Sequence, residues 1–158
     1  MRTLDIPNYG KITIKNIVFD VNGTIQFKGR ISKKFIKYIK DLKRFYEIYL
    51  ISADTRGNLR HLAEKLHVNY LRIFSVETSE AEAKNNELLK LGKDITVAIG
   101  NGNNDYLMLK NAIIGIAILG EEGSTKNAIL NSDVILTNVI DAINFLLDEK
   151  TMIATLRA

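Results

Sequence analysis

The chain has 158 residues, 46% of them hydrophobic and 25% charged, which is typical of one globular domain and excludes a disordered or fibrous chain. It contains no cysteine, which excludes a disulfide framework and a thiolate metal site. The net charge is +4, and no segment reaches the roughly 18 apolar residues that a membrane-spanning helix requires. No apolar signal core follows Met1, so the sequence predicts a cytoplasmic protein without a membrane partner.

Apolar runs of strand length alternate with amphipathic stretches of helical length. Strands are predicted at Leu4–Ile6, Ile12–Asp20, Ile48–Ser52, Leu71–Phe74, Ile95–Ile99, Ile113–Leu119 and Asp133–Leu136. Helices are predicted at Ser32–Phe45, Thr55–Leu66, Ser79–Leu91, Asn104–Leu109, Ser124–Leu130 and Val139–Leu147. The turn residues Pro7–Gly10 favour an N-terminal β-hairpin. The alternation predicts a single domain over residues 1–158, a Rossmann-like three-layer α/β/α sandwich with a mostly parallel sheet.

Much of the excess positive charge lies between Lys28 and Arg44, a segment that includes most of the predicted helix Ser32–Phe45. Basic residues alternate there with apolar ones at helical spacing: Lys33, Lys34, Lys37, Lys40, Lys43 and Arg44 with Phe35, Ile36, Ile39 and Leu42. The pattern favours an amphipathic helix whose basic face is solvated. The alternative is a patch that attracts a phosphorylated or nucleic-acid partner. Because no nucleic-acid-binding module accompanies the helix, a nucleic-acid partner is not predicted.

Two polar clusters follow the second and third predicted strands, where ligands bind in sheets of this class. Asp20–Thr24 places a carboxylate at the strand end, and Gly23 permits a sharp turn that lets amides face an anion. A simple Asn-Gly turn is the alternative. Ser52–Asp54 offers a hydroxyl at a helix entrance, which can bond an anionic oxygen. A plain helix N-cap is the alternative for this second cluster.

Two further clusters come from the predicted helix Ser79–Leu91 and from the strand that follows it. Lys84 falls on the inward stripe of that helix, where a charge is costly unless it finds a partner. A lysine whose charged end reaches solvent at the rim is the alternative. Gly100–Asp105 interleaves oxygen-bearing side chains with glycines at a strand end, which suits a hard cation such as Mg²⁺. An Asn/Gly-rich turn is the alternative there.

These four segments, in this order, resemble the signatures of the haloacid-dehalogenase-like (HAD-like) superfamily. The phosphorylation domain of P-type ATPases is more similar still. Its D-K-T-G-T, T-G-D and G-D-G-x-N-D motifs correspond to Asp20–Thr24, Ser52–Asp54 and Gly100–Asp105. The resemblance extends over roughly Ile14 to Leu147 and is strongest to the small soluble P-type ATPase-like group that has no cap domain.

The resemblance implies a magnesium-dependent site for phosphoryl groups. Asp20 would form an aspartyl phosphate, while Ser52 and Lys84 would hold the phosphoryl oxygens. Substrate contacts are further implied for Gly23, Thr24, Ala53 and Asp54. The implied ligands of Mg²⁺ are Asp20, the main-chain carbonyl of Asn22, Asn101 and, directly or through water, Asp105.

Two asparagines depart from the superfamily pattern. Asn22 stands where its phosphatases have an aspartate that acts as general acid and base, a role worth about 10²–10⁴-fold in rate. The departure predicts slow hydrolysis, as in P-type ATPases, which also lack an aspartate there. Asn101 replaces a metal-binding aspartate, so one negative charge is lost and weaker Mg²⁺ binding is predicted.

The predicted function is phosphohydrolysis at an open site, because the intervals between the motifs leave no room for a cap. The substrate would be a phosphorylated small molecule or an exposed phosphate on a macromolecule. The alternative is a regulatory module that binds phosphate and metal with little or no turnover. A response-regulator receiver domain is disfavoured, because receivers carry the phosphorylated aspartate on a later strand. Nothing in the sequence marks an interface, and a homo-oligomer is left open.

Overall fold

Eight strands, seven α-helices and one short 3-10 helix (Lys93–Ile95) follow one another in the computed structural model, which describes residues 1–158. The strands are β1 (Arg2–Ile6), β2 (Gly10–Ile14), β3 (Asn16–Asp20), β4 (Glu47–Ser52), β5 (Asn69–Arg72), β6 (Thr96–Gly100), β7 (Ile114–Ile118) and β8 (Val134–Leu136). The helices are α1 (Lys33–Leu42), α2 (Leu59–Leu66), α3 (Glu80–Leu91), α4 (Tyr106–Asn111), α5 (Lys126–Leu130), α6 (Val139–Leu147) and α7 (Glu149–Leu156).

The main sheet has six strands in the order β5-β4-β3-β6-β7-β8, and every neighbouring pair is parallel. Strands β1 and β2 form a separate antiparallel hairpin. Helices cover both faces of the main sheet, because each parallel connection must cross over one of them. The predicted three-layer α/β fold with an N-terminal hairpin and no cap is therefore confirmed.

Strand β3 lies at the centre of the sheet and sends alternate side chains to the two faces. Ile17 and Phe19 belong to the larger apolar cluster, which contains the buried residues of α1, α2, α6 and α7. Val18 belongs to the smaller cluster, with buried residues of α3, α4 and α5. Asp20 is two residues beyond Val18, so alternation directs it to the face that α3 covers.

The predicted strand Ile12–Asp20 is wrong as a single element, because the chain leaves the hairpin at Lys15 and enters the main sheet. The Lys15 amide donates to the carbonyl of Ile95 at 2.9 Å, and its carbonyl accepts from the Glu47 amide at 3.0 Å. These bonds belong to neither β2 nor β3. The residue therefore acts as a corner between the two sheets.

Several element boundaries differ from the predictions by two to four residues, and one helix was missed. Strand β5 ends at Arg72 rather than at Phe74, which is 72% exposed. Helix α2 begins at Leu59, because residues 55–57 form a turn before it. Helix α7 was not predicted, although Asp148 caps it by accepting from the amides of the second and third residues that follow.

Both chain ends lie on the side of the sheet where the strands begin. The Met1 amine donates to the carbonyl of Phe45, just before β4. The Arg2 guanidinium donates to the carbonyl of Leu147 at 2.9 Å, and the Asn8 amide donates to the carbonyl of Ala158 at 3.0 Å. The carboxyl ends of the strands, where the polar clusters lie, are at the opposite side. None of the seven helices combines the length and the apolar character needed to cross a membrane.

Candidate active site

A lysine held between two carboxylates forms the centre of the site. Lys84 Nζ lies 2.6 Å from Asp20 Oδ1 and 2.6 Å from Asp105 Oδ1. All three side chains are buried, and at most 6% of any of them is exposed. Lys84 comes from α3, Asp20 ends β3, and Asp105 directly precedes α4. The prediction that Lys84 points inward and finds a partner agrees with this geometry, and Asp105 is a second partner.

Asp105 is fixed by the loop that follows β6. Its Oδ2 accepts from the amide of Asn101 at 3.0 Å and from the amide of Gly102 at 2.8 Å. A side chain at position 100 would place its Cβ 2.5 Å from the Asp105 Cγ. Glycine at position 100 therefore lets the carboxylate approach the end of β6 closely enough to reach Lys84.

The three charges do not cancel, since two carboxylates face one ammonium. Burial, followed by the charge of Asp105, raises the pKa of Asp20 from its ordinary 3.8 to about 7, against the opposing effects of Lys84 and Thr24. Burial acts to lower the pKa of Lys84, but the charges of Asp20 and Asp105 outweigh it and raise that pKa. Lys84 therefore remains protonated at neutral pH, whereas the Asp20 carboxyl is only partly ionised there in the metal-free protein.

The buried Thr24 hydroxyl lies between two oxygens, 3.1 Å from Asp20 Oδ2 and 3.3 Å from Asn101 Oδ1. A hydroxyl has one proton and can donate to only one of them at a time. The site thus holds an excess of buried oxygen acceptors, including the Asp20 carboxyl group, which fits a hard cation. The structure contains no cluster of three or more His, Cys, Asp or Glu side chains suited to a metal. A cation would therefore need amide and main-chain oxygens as well.

The turn after β3 uses most of its amides internally. The Gly23 amide donates to the carbonyl of Gln26 at 2.9 Å, and the Thr24 amide donates to the carbonyl of Val21 at 3.4 Å. The amide of Asn22 makes no backbone hydrogen bond, so it is free to face a bound anion. Gly23 has φ of +80° and lies against the Asn101 side chain, which leaves no space for a Cβ.

The Ser52–Asp54 segment contributes a hydroxyl and an amide at the end of β4. Ser52 is buried, and its Oγ accepts from the Asp54 amide at 2.9 Å, so its proton remains free to be donated. The Ala53 amide makes no backbone hydrogen bond. The Asp54 carboxylate instead accepts from the Leu59 amide at 2.9 Å and lies 3.8 Å from Arg72.

The structure does not bring every predicted residue into contact with the charged cluster. The Asp54 carboxylate binds the first amide of α2, which agrees with the alternative reading of Ser52–Asp54 as a helix cap. Asn22 is exposed, and its side chain forms no hydrogen bond with the lysine or the two carboxylates. Asp20, Thr24, Lys84, Asn101 and Asp105 do form one connected network.

The loop between β7 and α5, for which no role was predicted, also supports the site. Asn101 donates through Nδ2 to the carbonyl of Gly123 at 3.0 Å. Its own carbonyl accepts from the Ser124 hydroxyl at 3.1 Å and from the Thr125 amide at 2.9 Å. The signal in the sequence was the run Gly120–Gly123, with a glycine at each end, which follows β7 at the same edge of the sheet.

No family model matches the chain. Over 61 residues it is 49% identical to an uncharacterized protein of Methanocaldococcus jannaschii, a match that covers 39% of this chain and 66% of that protein. Over 136 residues it is 29% identical to a chloroplastic copper-transporting ATPase of Arabidopsis thaliana, which covers 81% of this chain and 14% of the ATPase. The chain therefore spans just under two thirds of the first relative and a small part of the second.

Solved structures of phosphatases and hydrolases share the fold. The 3-deoxy-D-manno-octulosonate 8-phosphate phosphatase of Moraxella catarrhalis, solved with magnesium, phosphate and its sugar, has a TM-score of 0.70 and 18% identity, covering 91% of this chain and 94% of that one. A HAD family hydrolase of Salmonella enterica has a TM-score of 0.69 and 14% identity, covering 87% of this chain and 72% of that one. A phosphoserine phosphatase with a phospho-aspartyl intermediate analogue has a TM-score of 0.67 and 17% identity, covering 86% of this chain and 100% of that one. The chain has the HAD-like fold that the motifs predicted.

Proposed function

We propose that the protein is a Mg²⁺-dependent phosphohydrolase that works through an aspartyl phosphate on Asp20 and turns over slowly. The observation that carries the proposal is the buried Asp20–Lys84–Asp105 cluster at the open carboxyl edge of the sheet. A buried carboxylate that is positioned by a lysine and a threonine, beside free amides, has the features of an activated nucleophile. The phosphatases and the ATPase to which the chain is similar support the reaction class.

In the proposed reaction, a carboxylate oxygen of Asp20 forms a bond to phosphorus while the bond from phosphorus to the leaving oxygen breaks. Lys84 and the Ser52 hydroxyl would stabilise the negative charge on the transferred phosphoryl group, together with the amides of Asn22 and Ala53. Water then cleaves the aspartyl phosphate, which releases phosphate and restores Asp20. The Asn22 amide cannot transfer a proton. The leaving oxygen must therefore take its proton from solvent, and the attacking water must lose its proton to solvent.

A magnesium ion would neutralise charge on the phosphoryl oxygens. The residues that would hold it are Asp20, Asn101 and the main-chain carbonyl of Asn22, which accepts no backbone hydrogen bond. Both oxygens of Asp105 already accept hydrogen bonds from Lys84 or from amides. Its contribution would therefore be made through water, as a positioning group.

The second candidate is a module that binds phosphate and metal but does not catalyse turnover. It is favoured by one observation: the side chain two residues beyond Asp20 is an exposed amide that has no acid–base function. Under this alternative the site would retain affinity for phosphate with negligible release from an ester. The two candidates differ in whether phosphate release depends on Asp20.

The test of the proposed function is phosphate release from phosphomonoesters, nucleotides and acetyl phosphate, with Mg²⁺ and with a chelator. We expect slow, Mg²⁺-dependent release from the wild type and none above background from Asp20→Asn, because the amide cannot attack phosphorus. Equal release by the two proteins would sink the hydrolase proposal. Binding of beryllofluoride without release would leave the phosphate-binding module.

The raised pKa of Asp20 predicts how pH affects the stability of the metal-free protein. Since the folded-state value of about 7 exceeds the ordinary 3.8, the folded state favours the protonated carboxyl. That stabilisation is complete below the ordinary value and is lost as pH rises through 7. With chelator present, the Tm of the wild type should therefore fall relative to that of Asp20→Asn between pH 5 and pH 8. A difference in Tm that does not change with pH would contradict this account.

A further inference from the structure

Positive charge is concentrated on one segment next to the site. Residues 28–44 contain eight lysine or arginine residues and one aspartate, a net charge of +7, whereas the whole chain carries +4. The rest of the chain therefore carries −3. None of the eight basic side chains forms an ion pair in the structure. We call residues 28–44 the basic segment.

Basic residues contradict local structural preferences at two places in this segment. Helix α1 begins with Lys33 and Lys34 and has no acidic residue in its first turn, although the helix dipole favours negative charge there. Lys28 has φ of +49° in a two-residue turn with Gly29, closed by hydrogen bonds between Phe27 and Arg30. Asparagine or glycine is preferred at such a position. Residues that contradict local structural preferences, and that form no compensating contact, often have a functional role.

The basic segment adjoins the candidate active site. A cavity of about 590 Å³ is lined by Phe27, Lys28, Arg30, Ile31, Ser32 and Glu121. The Phe27 ring lies 3.3 Å from the position that a Cβ on Gly120 would occupy, and that position is 3.4 Å from the carbonyl oxygen of Gly23. The cavity therefore adjoins the turn that follows Asp20. Glu121, in the loop after β7, is the one acidic residue that lines it.

The buried face of α1 decides which kind of anion the segment suits. Phe35, Ile39 and Leu42 are all packed in the core, so the helix has no apolar face left to enter a lipid bilayer. Its exposed face repeats Lys33, Lys37 and Lys40 at helical spacing, over roughly 10 Å. Lysine ammonium groups act as point charges toward phosphate, without the fork that pairs arginine with carboxylates.

We propose that the basic segment binds a flexible chain of phosphate groups and directs its terminal phosphate toward Asp20. The occupant we assign is inorganic polyphosphate rather than a nucleic acid, because the exposed residues of α1 include no aromatic side chain on which bases could stack. The part of the inference that concerns Asp20 rests on the proposed function. The part that concerns binding along α1 is independent of the proposed function, because it requires only the charges of the basic segment.

The test measures binding by fluorescence anisotropy, with chelator present, of labelled inorganic polyphosphate and of a 5′-phosphorylated single-stranded oligonucleotide. The triple variant Lys33→Gln/Lys37→Gln/Lys40→Gln is compared with Lys93→Gln/Lys110→Gln/Lys126→Gln, three exposed lysines outside the segment that carry the same total charge. We expect at least a tenfold loss of affinity in the first triple variant and less than twofold in the second. The slope of log K against log[salt] should become less steep by about 2 in the first triple variant, because each lost phosphate contact removes about 0.7 from it.

Lys28→Asn gives a second measurement that does not depend on the stability of the triple variant. Asparagine suits the left-handed backbone at this position better than lysine does, so this variant should unfold at an equal or higher temperature and yet bind more weakly. Tighter binding of the oligonucleotide than of polyphosphate would overturn the assignment of polyphosphate as the occupant. Equal affinities in the two triple variants would overturn the proposal. Equally tight binding of polyglutamate would also overturn it and indicate an acidic protein partner.

The outcomes separate this inference from the proposed function. Phosphate release from a small phosphomonoester should be unchanged by the α1 triple variant, because its lysines contact none of the active-site residues. If the wild type releases phosphate in a way that depends on Asp20 but binds no phosphate chain, this inference is overturned and the proposed function stands. Binding that depends on the lysines of α1, without release from any substrate, would overturn the hydrolase proposal alone.

Discussion

Replacing Asn22 with aspartate should raise the rate of phosphate release by about 10²–10⁴-fold, the usual contribution of a general acid and base. The Asn22 side chain is exposed and forms no hydrogen bond with the charged cluster, so the substitution should leave the fold intact. A carboxyl at this position could protonate the leaving oxygen and then deprotonate the attacking water. The measurement is kcat for phosphate release by wild type and Asn22→Asp under identical Mg²⁺ concentrations.

Two controls show whether the gain comes from acid–base chemistry. Asn103→Asp adds the same charge at another exposed position of the same sheet edge and should leave kcat within about twofold of the wild type, as expected of a surface charge. Asn22→Asp/Asp20→Asn should be inactive, because the nucleophile is absent. If Asn22→Asp hydrolyses no faster than the wild type, proton transfer does not limit the rate, and the account of slow turnover fails.

Replacing Lys84 with methionine should lower the free energy of unfolding by about 3–5 kcal/mol, the usual cost of removing one partner of a buried ion pair. Two carboxylates would remain buried without the ammonium that lies 2.6 Å from each of them. Methionine fills a similar volume, so a cavity would contribute little. Chemical denaturation in the presence of chelator measures the loss.

Lys90 is a matched control on the same helix. Its side chain is 71% exposed and pairs with Glu87 at 2.6 Å, an arrangement worth at most about 1 kcal/mol. Lys90→Met should therefore change stability far less than Lys84→Met. Adding Asp20→Asn to Lys84→Met should recover part of the loss, since one of the two unpaired carboxylates is then neutral. Strictly additive effects would show that Asp20 and Lys84 do not interact.

The order of strands and helices could be predicted from the sequence because each predicted element has the hydrophobic pattern of its type. The errors arose where tertiary contacts override that pattern. Lys15 lies in a continuous run of strand-like sequence, and only its bonds to Ile95 and Glu47 divide the run. Phe74 has the character of a strand residue, but β5 ends at Arg72, opposite Ser52 of β4.

The candidate site was predicted in part. A lysine on the inward stripe of a helix was sufficient to predict that Lys84 has a buried partner, since an isolated buried charge is too costly. Its simultaneous bond to Asp105 could not be predicted, because it depends on how closely α4 approaches β6 at Gly100. The bonds of Asn101 to Gly123 and Thr125 depend likewise on a loop that is distant in sequence.

The positions of the two chain ends have a practical consequence. Both are held where the strands begin, by the contacts of Met1, Arg2 and Asn8, whereas Asp20 lies where a strand ends. A tag, a solid support or a fused protein joined at either terminus would therefore lie on the side of the sheet opposite Asp20. Copies immobilised through either terminus should all present the same unobstructed face to the solution.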